Sequence, residues 1–189
     1  MSQESAFPIV VIGGSAGALG TLLTLLHAQC NPLPYALIIV LHRMKNVPSV
    51  LKEILDAETN FPVVEPEDKE EIKKGHIYLA PQNYHLLTEA EGRFALEYSE
   101  PVAFSRPSID VTMETAAWAF EKRVTGIVLS GANNDGTAGL KAILAAGGTG
   151  YIQAPITAQY TTMPSDALAG NPGAQALPIE EIAAALCLL

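Results

Sequence analysis

Three polar residues, Ser15, His42 and Asp135, each follow shortly after an apolar segment of strand-like sequence. A serine hydroxyl becomes a nucleophile when a base takes its proton and a carboxylate orients that base, so this set could perform acyl transfer. Ligands of parallel α/β sheets gather at the carboxyl ends of the strands. We therefore expect the three side chains to converge at one edge of a sheet.

The segment Gly13-Gly14-Ser15-Ala16-Gly17 fits the G-x-S-x-G pattern between a β-branched run and a leucine-rich helical pattern. Glycines at these positions permit a sharp strand-to-helix turn that exposes the serine hydroxyl, and the helix start offers free N–H groups to a developing anion. A simpler interpretation stays open, in which Ser15 caps the helix after it. Local sequence likewise favours Asp135 as the cap of its own following helix.

A nucleotide site is a weaker alternative. A dinucleotide fingerprint needs G-x-G-x-x-G and an acidic residue roughly 20 positions later. Here Ser15 stands at the middle glycine, and the next strand ends in His42. The chain has no P-loop pattern, and its cysteines lack the spacing of a zinc site. We expect neither a cofactor nor a metal.

Four expected strands, separated by helical patterns, form the elements that position these residues. The first is rich in β-branched residues, the second is almost continuously apolar, and the third is another buried strand; they lie at 9–12, 35–41 and 124–130, and a last strand is expected at 149–153. This alternation predicts an α/β fold with a doubly wound, mostly parallel sheet of Rossmann-like, three-layer type. Residues 84–88 and 93–98 predict a small antiparallel hairpin near the active edge, and Ser108 is the expected N-cap of a helix.

Composition limits the class of protein. With 189 residues and 49% hydrophobic content, we expect one domain over residues 1–189, with an ordered core from about residue 7. The net charge of −9 argues against nucleic acid as a partner, and no apolar run suits membrane insertion. Because residues 1–8 do not form a signal segment, we expect a cytoplasmic protein in which Cys30 and Cys187 are reduced thiols.

Seven short motifs occur in a fixed order along the chain. They are Ile12-Gly-Gly-Ser-Ala-Gly17, Leu41-His-Arg43, Gly75-His-Ile-Tyr-Leu-Ala-Pro81 with His85-Leu86, Arg106-Pro-Ser-Ile-Asp-Val111, Gly126-Ile-Val-Leu-Ser-Gly131, Asn134-Asp-Gly136 and Met163-Pro164. In this order they resemble the catalytic domain of the CheB protein-glutamate methylesterases of bacterial chemotaxis, and the resemblance extends from Pro8 onward.

The resemblance implies a serine hydrolase that removes methyl esters from receptor glutamates, with glutamine deamidation as a related second activity. By matching position, Ser15 is the nucleophile, His42 the general base and Asp135 the orienting carboxylate. The implied partner is a methyl-accepting chemotaxis receptor or a related signalling protein. An α/β-hydrolase is excluded, because its histidine follows the acid in the chain, whereas every histidine here precedes Asp135.

Four further residues are candidates for this site. The backbone N–H groups of Ala16 and Ala132 are the candidates for the oxyanion hole. His85, at a family position near the site, and Arg106, which could meet a carboxylate of an acidic receptor helix, are the candidates for lining the substrate.

The chain departs from the family pattern in three places. Residues 15–18 read Ser-Ala-Gly-Ala where the family usually has Ser-Thr-Gly-Gly, and residues 131–133 read Gly-Ala-Asn where it has Gly-Met-Gly. Family members usually carry a phosphorylatable N-terminal receiver domain, for which these residues leave no room. We therefore expect any phosphorelay control to come from a separate regulatory protein. A non-catalytic signalling or binding domain on the same fold is the alternative function.

Overall fold

The computed structural model describes residues 7–189, so the first six residues of the predicted domain lie outside the described range. Nine strands are present in this range: β1 (Ile9–Gly14), β2 (Ala36–Leu41), β3 (Val63–Val64), β4 (Ile77–Leu79), β5 (His85–Thr88), β6 (Phe94–Glu97), β7 (Val124–Val128), β8 (Thr149–Gln153) and β9 (Gln175–Leu177). The α-helices are α1 (Ala18–His27), α2 (Leu51–Ala57), α3 (Ile109–Phe120), α4 (Thr137–Ala145), α5 (Thr162–Gly170) and α6 (Ile179–Leu186).

Seven of the strands form one parallel sheet in the order β3-β4-β2-β1-β7-β8-β9. The chain starts in the middle of the sheet and winds outward in both directions. Strands β5 and β6 form a separate antiparallel pair. The predicted fold class is therefore confirmed, including the small hairpin.

The central strands are apolar along their whole length because helices cover both faces of the sheet. Every residue of β1 and β2 is buried. Alternate side chains of β1 enter two separate cores: Ile9 and Val11 pack with α3, α4 and α5, whereas Val10 and Ile12 pack with α1, α2 and α6. This arrangement gives three layers and leaves the ends of the central strands as the place where polar groups can meet.

The last strand of the sheet was not predicted. Residues 149–153 form β8 as expected, but β9 follows it at the sheet edge and pairs with it in parallel. This strand has only three residues, all at least partly accessible to solvent. It therefore lacks the buried apolar run by which β1, β2 and β7 were recognised.

The prediction of two reduced thiols is wrong for this structure, in which Cys30 and Cys187 form a disulfide. Cys30 lies beyond the end of α1, and Cys187 is the residue that ends α6. Helices α1 and α6 share one core, with Leu25, Leu26 and Leu186 among its members, so the two ends lie side by side with a Cα–Cα distance of 5.6 Å. The cysteines are 157 positions apart, so composition could not indicate their proximity.

Candidate active site

Ser15 and His42 follow neighbouring parallel strands at the same edge of the sheet. Gly14 of β1 is in register with Leu41 of β2, and the His42 N–H donates to the Gly14 carbonyl at 3.3 Å. Strand β7, which precedes Asp135, pairs with the other side of β1. The topology thus brings the three predicted residues to one edge from three adjacent strands.

Asp135 and His42 are in direct contact. Asp135 Oδ2 lies 2.7 Å from His42 Nε2, the carboxyl is fully buried, and 12% of the His42 side chain is exposed. Burial by itself raises the pKa of Asp135, but the hydrogen bonds from His42 and from the Asp110 and Ile109 amides hold the pKa below its ordinary value. The group at His42 Nε2 is therefore a carboxylate.

Asp135 binds the start of α3 and not the start of its own helix. Its two oxygens accept hydrogen bonds from the Ile109 amide at 2.8 Å, the Asp110 amide at 2.9 Å and the Ser108 hydroxyl at 2.9 Å. Helix α4 has Gly136 at its N-cap with no side-chain cap, so the expectation that Asp135 caps α4 is wrong. The predicted N-cap of α3 is confirmed, because Ser108 Oγ accepts from the Val111 amide.

Asp110 supplies the acceptor that α4 lacks. Its Oδ1 accepts from the Gly136 amide at 2.9 Å and from the Gly139 amide at 2.7 Å. Burial is the largest influence on this group and raises its pKa to about 6; the two amides lower it and the neighbouring Asp135 raises it. Amides at helix starts therefore bind two carboxyls whose pKa values are shifted in opposite directions: that of Asp110 is raised and that of Asp135 is lowered.

The turn around Ser15 requires glycine at its last position. Gly17 stands at the N-cap of α1 with φ 74° and no side-chain cap, so the alternative that Ser15 caps this helix is wrong. A Cβ at Gly17 would lie 2.7 Å from Gln159 Cβ and 2.9 Å from Ser130 Oγ. Ser15 itself lines a cavity of about 630 Å³ whose other polar lining residues include Thr21, Thr24, Gln159 and Glu180.

Ser15 and His42 follow paired strand ends, but within residues 7–189 no hydrogen bond joins them, and they line two different cavities. His42 Nδ1 instead lies 3.2 Å from the hydroxyl oxygen of Ser105. Sequence reasoning missed Ser105, which lies 63 positions from His42. In the sequence, Ser105 stands out only because it directly precedes the Arg106-Pro107 motif, and that position does not indicate a contact with His42.

The two oxyanion-hole candidates have free backbone donors. Within residues 7–189, neither the Ala16 nor the Ala132 amide donates a hydrogen bond to another group. Their loops are held by other contacts: Ser130 Oγ donates to the Ala16 carbonyl at 2.8 Å, and the Gly131 amide donates to the Tyr160 carbonyl at 3.2 Å. Both N–H groups are thus available to an anion.

The structure separates the two substrate-lining candidates. His85 is fully buried; its Nδ1 accepts from the Ser108 amide at 3.2 Å and its Nε2 donates to the Glu100 carbonyl at 3.0 Å. It therefore lies behind the site and supports the start of α3. Arg106 lines a cavity of about 400 Å³ together with His42, and its guanidinium stacks 3.8 Å from the centre of the Tyr98 ring.

The described part of the chain has neither a group of metal-binding side chains nor a helix that could span a membrane. Within residues 7–189, no three His, Cys, Asp or Glu side chains are grouped so as to hold a metal ion. No helix in that range is both long and apolar enough to cross a membrane.

Comparison with known proteins gives the chain its family. The sequence model of CheB methylesterase matches residues 10–186. The chain belongs to the CheB methylesterase family. The solved structure of the Thermotoga maritima CheB methylesterase catalytic domain superposes with a TM-score of 0.91 at 29% identity, covering 96% of this chain and 98% of that one. The resemblance read from the seven motifs is therefore confirmed.

One relative of the CheB type is close to this chain in length, and in two others the match spans about half of the relative. A Leptospira interrogans protein, provisionally named protein-glutamate methylesterase/protein-glutamine glutaminase, is 40% identical over 177 residues, which are 94% of this chain and 92% of the relative. The protein-glutamate methylesterase/protein-glutamine glutaminase of Symbiobacterium thermophilum is 30% identical, and the match covers only 49% of its length. The protein-glutamate methylesterase FrzG of Myxococcus xanthus is also 30% identical, with 54% of its length covered.

Proposed function

We propose that this chain is a protein-glutamate methylesterase, which hydrolyses the methyl ester of a glutamate side chain on a chemotaxis receptor or a related signalling protein. The observation that carries the proposal is the 2.7 Å contact between His42 Nε2 and Asp135 Oδ2 at the strand edge where Ser15 also lies. A buried carboxylate held against an imidazole, with a serine after the neighbouring strand, supplies the three groups that acyl transfer needs. In this proposal, residues 1–189 act as one catalytic domain.

The first half of the reaction forms an acyl-enzyme. Ser15 Oγ attacks the ester carbonyl carbon, and its proton passes to His42 Nδ1, because Asp135 already engages Nε2. The electron pair of the carbonyl moves onto its oxygen, which the free Ala16 and Ala132 amides are available to bind. One such donor commonly contributes about 3 kcal/mol to the transition state.

The second half releases the product. As the tetrahedral intermediate collapses, the C–O bond to the methoxy group breaks, and methanol leaves with the proton from His42. Water then attacks the acyl carbon and gives a proton to His42. As this second intermediate collapses, the bond between the acyl carbon and Ser15 Oγ breaks, His42 returns the proton to Oγ, and the glutamate is released. Asp135 stabilises the imidazolium that forms in each half.

Glutamine deamidation is the proposed second activity. The same steps apply when the substrate is a carboxamide, with ammonia leaving in place of methanol. The names of the Leptospira interrogans and Symbiobacterium thermophilum relatives include protein-glutamine glutaminase. An amide is the harder substrate because nitrogen must be protonated before it leaves, so His42 matters even more for this activity.

The surroundings of the site suit an acidic protein segment. The cavity that His42 lines also has Arg43, Lys45 and Arg106 among its lining residues and no carboxylate. Arg43 is paired with Glu65 at 2.8 Å, so Lys45 and Arg106 are the cations that favour glutamate-rich substrates in this chain of net charge −9.

We propose the cytoplasm as the location and a separate protein as the regulator. The number of free thiols in protein trapped directly from cells tests the location. Two free thiols would support the cytoplasm, and none would mean that the Cys30–Cys187 bridge of this structure is present in the cell, which would contradict it.

Methanol release from methylated receptor fragments tests the function. Ser15→Ala and His42→Ala should each lower the rate by roughly 10³-fold or more. Matched controls are Ser165→Ala, on the exposed side of α5, and His27→Ala, at the exposed end of α1, which should keep the wild-type rate. Absence of release by a folded wild-type protein from several receptors would favour the non-catalytic binding domain. The alanines at positions 16, 18 and 132 would then be the first to restore to the family pattern.

A further inference from the structure

A tight turn carries Ser105 to the candidate base. Val102 and Ser105 exchange two backbone hydrogen bonds, of 3.1 and 2.8 Å, so that Ala103 and Phe104 form a two-residue loop. Both loop residues have positive φ, 46° and 64°, a conformation that hairpin turns of this kind require and that residues with a Cβ rarely adopt. Strain of this sort persists where the surrounding structure imposes it, often beside a functional site.

The surroundings of this turn include the loop that leads to Asp135. Asn133 Nδ2 donates to the Ala103 carbonyl at 3.4 Å, while Asn133 Oδ1 accepts from the Asp135 amide at 3.2 Å. One side chain thus connects the turn to the residue that orients His42. The Phe104 side chain is 98% exposed, so packing at the tip does not determine this conformation.

The chemistry of the His42 ring fixes the direction of the hydrogen bond with Ser105. Asp135 as a carboxylate can only accept, so the hydrogen of a neutral His42 ring sits on Nε2. Nδ1 then carries the single in-plane lone pair of the ring. The Ser105 hydroxyl donates to this lone pair at 3.2 Å, which is nearer than its other acceptor, the Ala103 carbonyl at 3.5 Å. That lone pair is the one that must take the proton of Ser15.

We propose that Ser105 is a positioning residue that holds the Nδ1 lone pair of His42 in the resting protein, so that the Ser15 hydroxyl must displace it before acylation. The proposal rests on the proposed function, because the competition matters only if Ser15 is the nucleophile. Rotation of the Ser105 side chain about its Cα–Cβ bond frees Nδ1 without any change in the backbone. The Ser105 hydroxyl thus holds the His42 ring in one orientation in the resting protein and slows the approach of His42 to Ser15.

The test uses the full chain with Ser105→Ala, Ser105→Thr and the exposed control Ser165→Ala. Nitrogen-15 NMR of labelled histidine reports whether the His42 Nδ1 lone pair accepts a hydrogen bond, and it needs no substrate. We expect the Nδ1 resonance to move toward that of a free lone pair in Ser105→Ala and to return in Ser105→Thr. The control should match wild type. The charged side chains near the ring are the same in every variant: Asp135, the cavity-lining Arg43, Lys45 and Arg106, and Glu65, which is paired with Arg43.

Methanol release by the same variants tests the competition. Removal of one ordinary hydrogen bond from the resting state should raise the turnover of Ser105→Ala roughly 2- to 10-fold, and Ser105→Thr should restore the wild-type rate. An unchanged Nδ1 resonance in Ser105→Ala would overturn the proposal. So would a lower turnover in a folded Ser105→Ala protein, which would mean that Ser105 assists proton transfer. If the resonance moves while wild type releases no methanol, Ser105 still positions His42 and the proposed esterase function is what fails.

Discussion

The carboxyl of Asp135 binds amides at the start of the helix that contains Asp110, and the carboxyl of Asp110 binds amides at the start of the helix that follows Asp135. Asp135, which lies just before α4, accepts from two amides at the start of α3, and Asp110, in the first turn of α3, accepts from two amides at the start of α4. Helix N-termini favour negative charge. The orientation of Asp135 toward His42 is therefore set by a neighbouring helix, and only in part by its own loop.

The raised pKa of Asp110, about 6, predicts a pH-dependent contribution to stability. In the unfolded chain an aspartate titrates near pH 3.9, so between about pH 4 and the folded pKa the folded protein binds more protons than the unfolded one. The free energy of unfolding should therefore fall as pH rises through this window, by about 1 to 2 kcal/mol from this group. Asp135 has the opposite sign: its lowered pKa gives stability that is lost as pH falls.

Asp110→Asn isolates the first of these contributions, because it keeps an oxygen acceptor for Gly136 and Gly139 and removes the titration. Urea unfolding across the range from about pH 4 to pH 7 should show a smaller decrease in stability with rising pH for this variant than for wild type. Asp166→Asn, an exposed change on α5, is the control. Parallel curves for wild type and Asp110→Asn would contradict the assignment.

Asp135→Asn should damage both catalysis and stability. The amide cannot stabilise an imidazolium as a carboxylate does, so we expect methanol release to fall roughly 10³- to 10⁴-fold. One of its two oxygens becomes an NH₂ group that faces existing donors, so the free energy of unfolding should also fall, by about 1 to 3 kcal/mol. Rates and urea midpoints measured on the same samples check both effects. A stable variant with near wild-type turnover would remove Asp135 from the proposed mechanism.

Two glycines near Ser15 should respond in opposite ways to alanine. Gly17 has φ 74° and no room for a Cβ, so Gly17→Ala should cost about 1 to 3 kcal/mol and reduce turnover by displacing the Ser15 turn. Gly20, in the first turn of α1, has nothing within 4 Å of an added Cβ, so Gly20→Ala should add up to about 1 kcal/mol of stability. Thermal unfolding of the pair measures the difference. Equal effects would mean that the turn adapts to a side chain.

The disulfide predicts a redox-dependent stability. It closes a segment of 157 residues, and bridges across such long loops stabilise by about 2 to 5 kcal/mol, chiefly by restricting the unfolded chain. Adding dithiothreitol should lower the unfolding midpoint of wild type and leave that of the Cys30→Ser/Cys187→Ser double variant unchanged. Equal midpoints of wild type with and without reductant would show that the bridge adds nothing measurable.

The sequence predicted those parts of the fold that rest on continuous apolar patterns. The apolar runs at 9–12, 35–41 and 124–130 contain most of β1, β2 and β7, and the N-cap Ser108 was identified because its contact with the Val111 amide is local. The same pattern could not reveal β9, whose three residues are not buried. Local propensity was misleading at Asp135: its position before α4 suits a cap, but α3, distant in sequence, provides the amides it binds.

Contacts across long sequence separations could not be predicted from one chain. The topology rule for parallel sheets was enough to place Ser15, His42 and Asp135 at one edge, because it concerns strand ends only. It does not state which hydroxyl meets which imidazole nitrogen. Ser105 reaches His42 through a strained turn of residues 102–105 that contains no glycine, and a turn without glycine gives no sequence signal.

The bridge between Cys30 and Cys187 also changes what a cut in the chain can do. Between these cysteines the polypeptide is a covalent ring that contains His42, Ser105 and Asp135, with Ser15 on the arm before it. A protease that cleaves one exposed loop inside the ring opens it without releasing a fragment. All the residues of the candidate site would then stay in one molecule until a reductant separates the pieces.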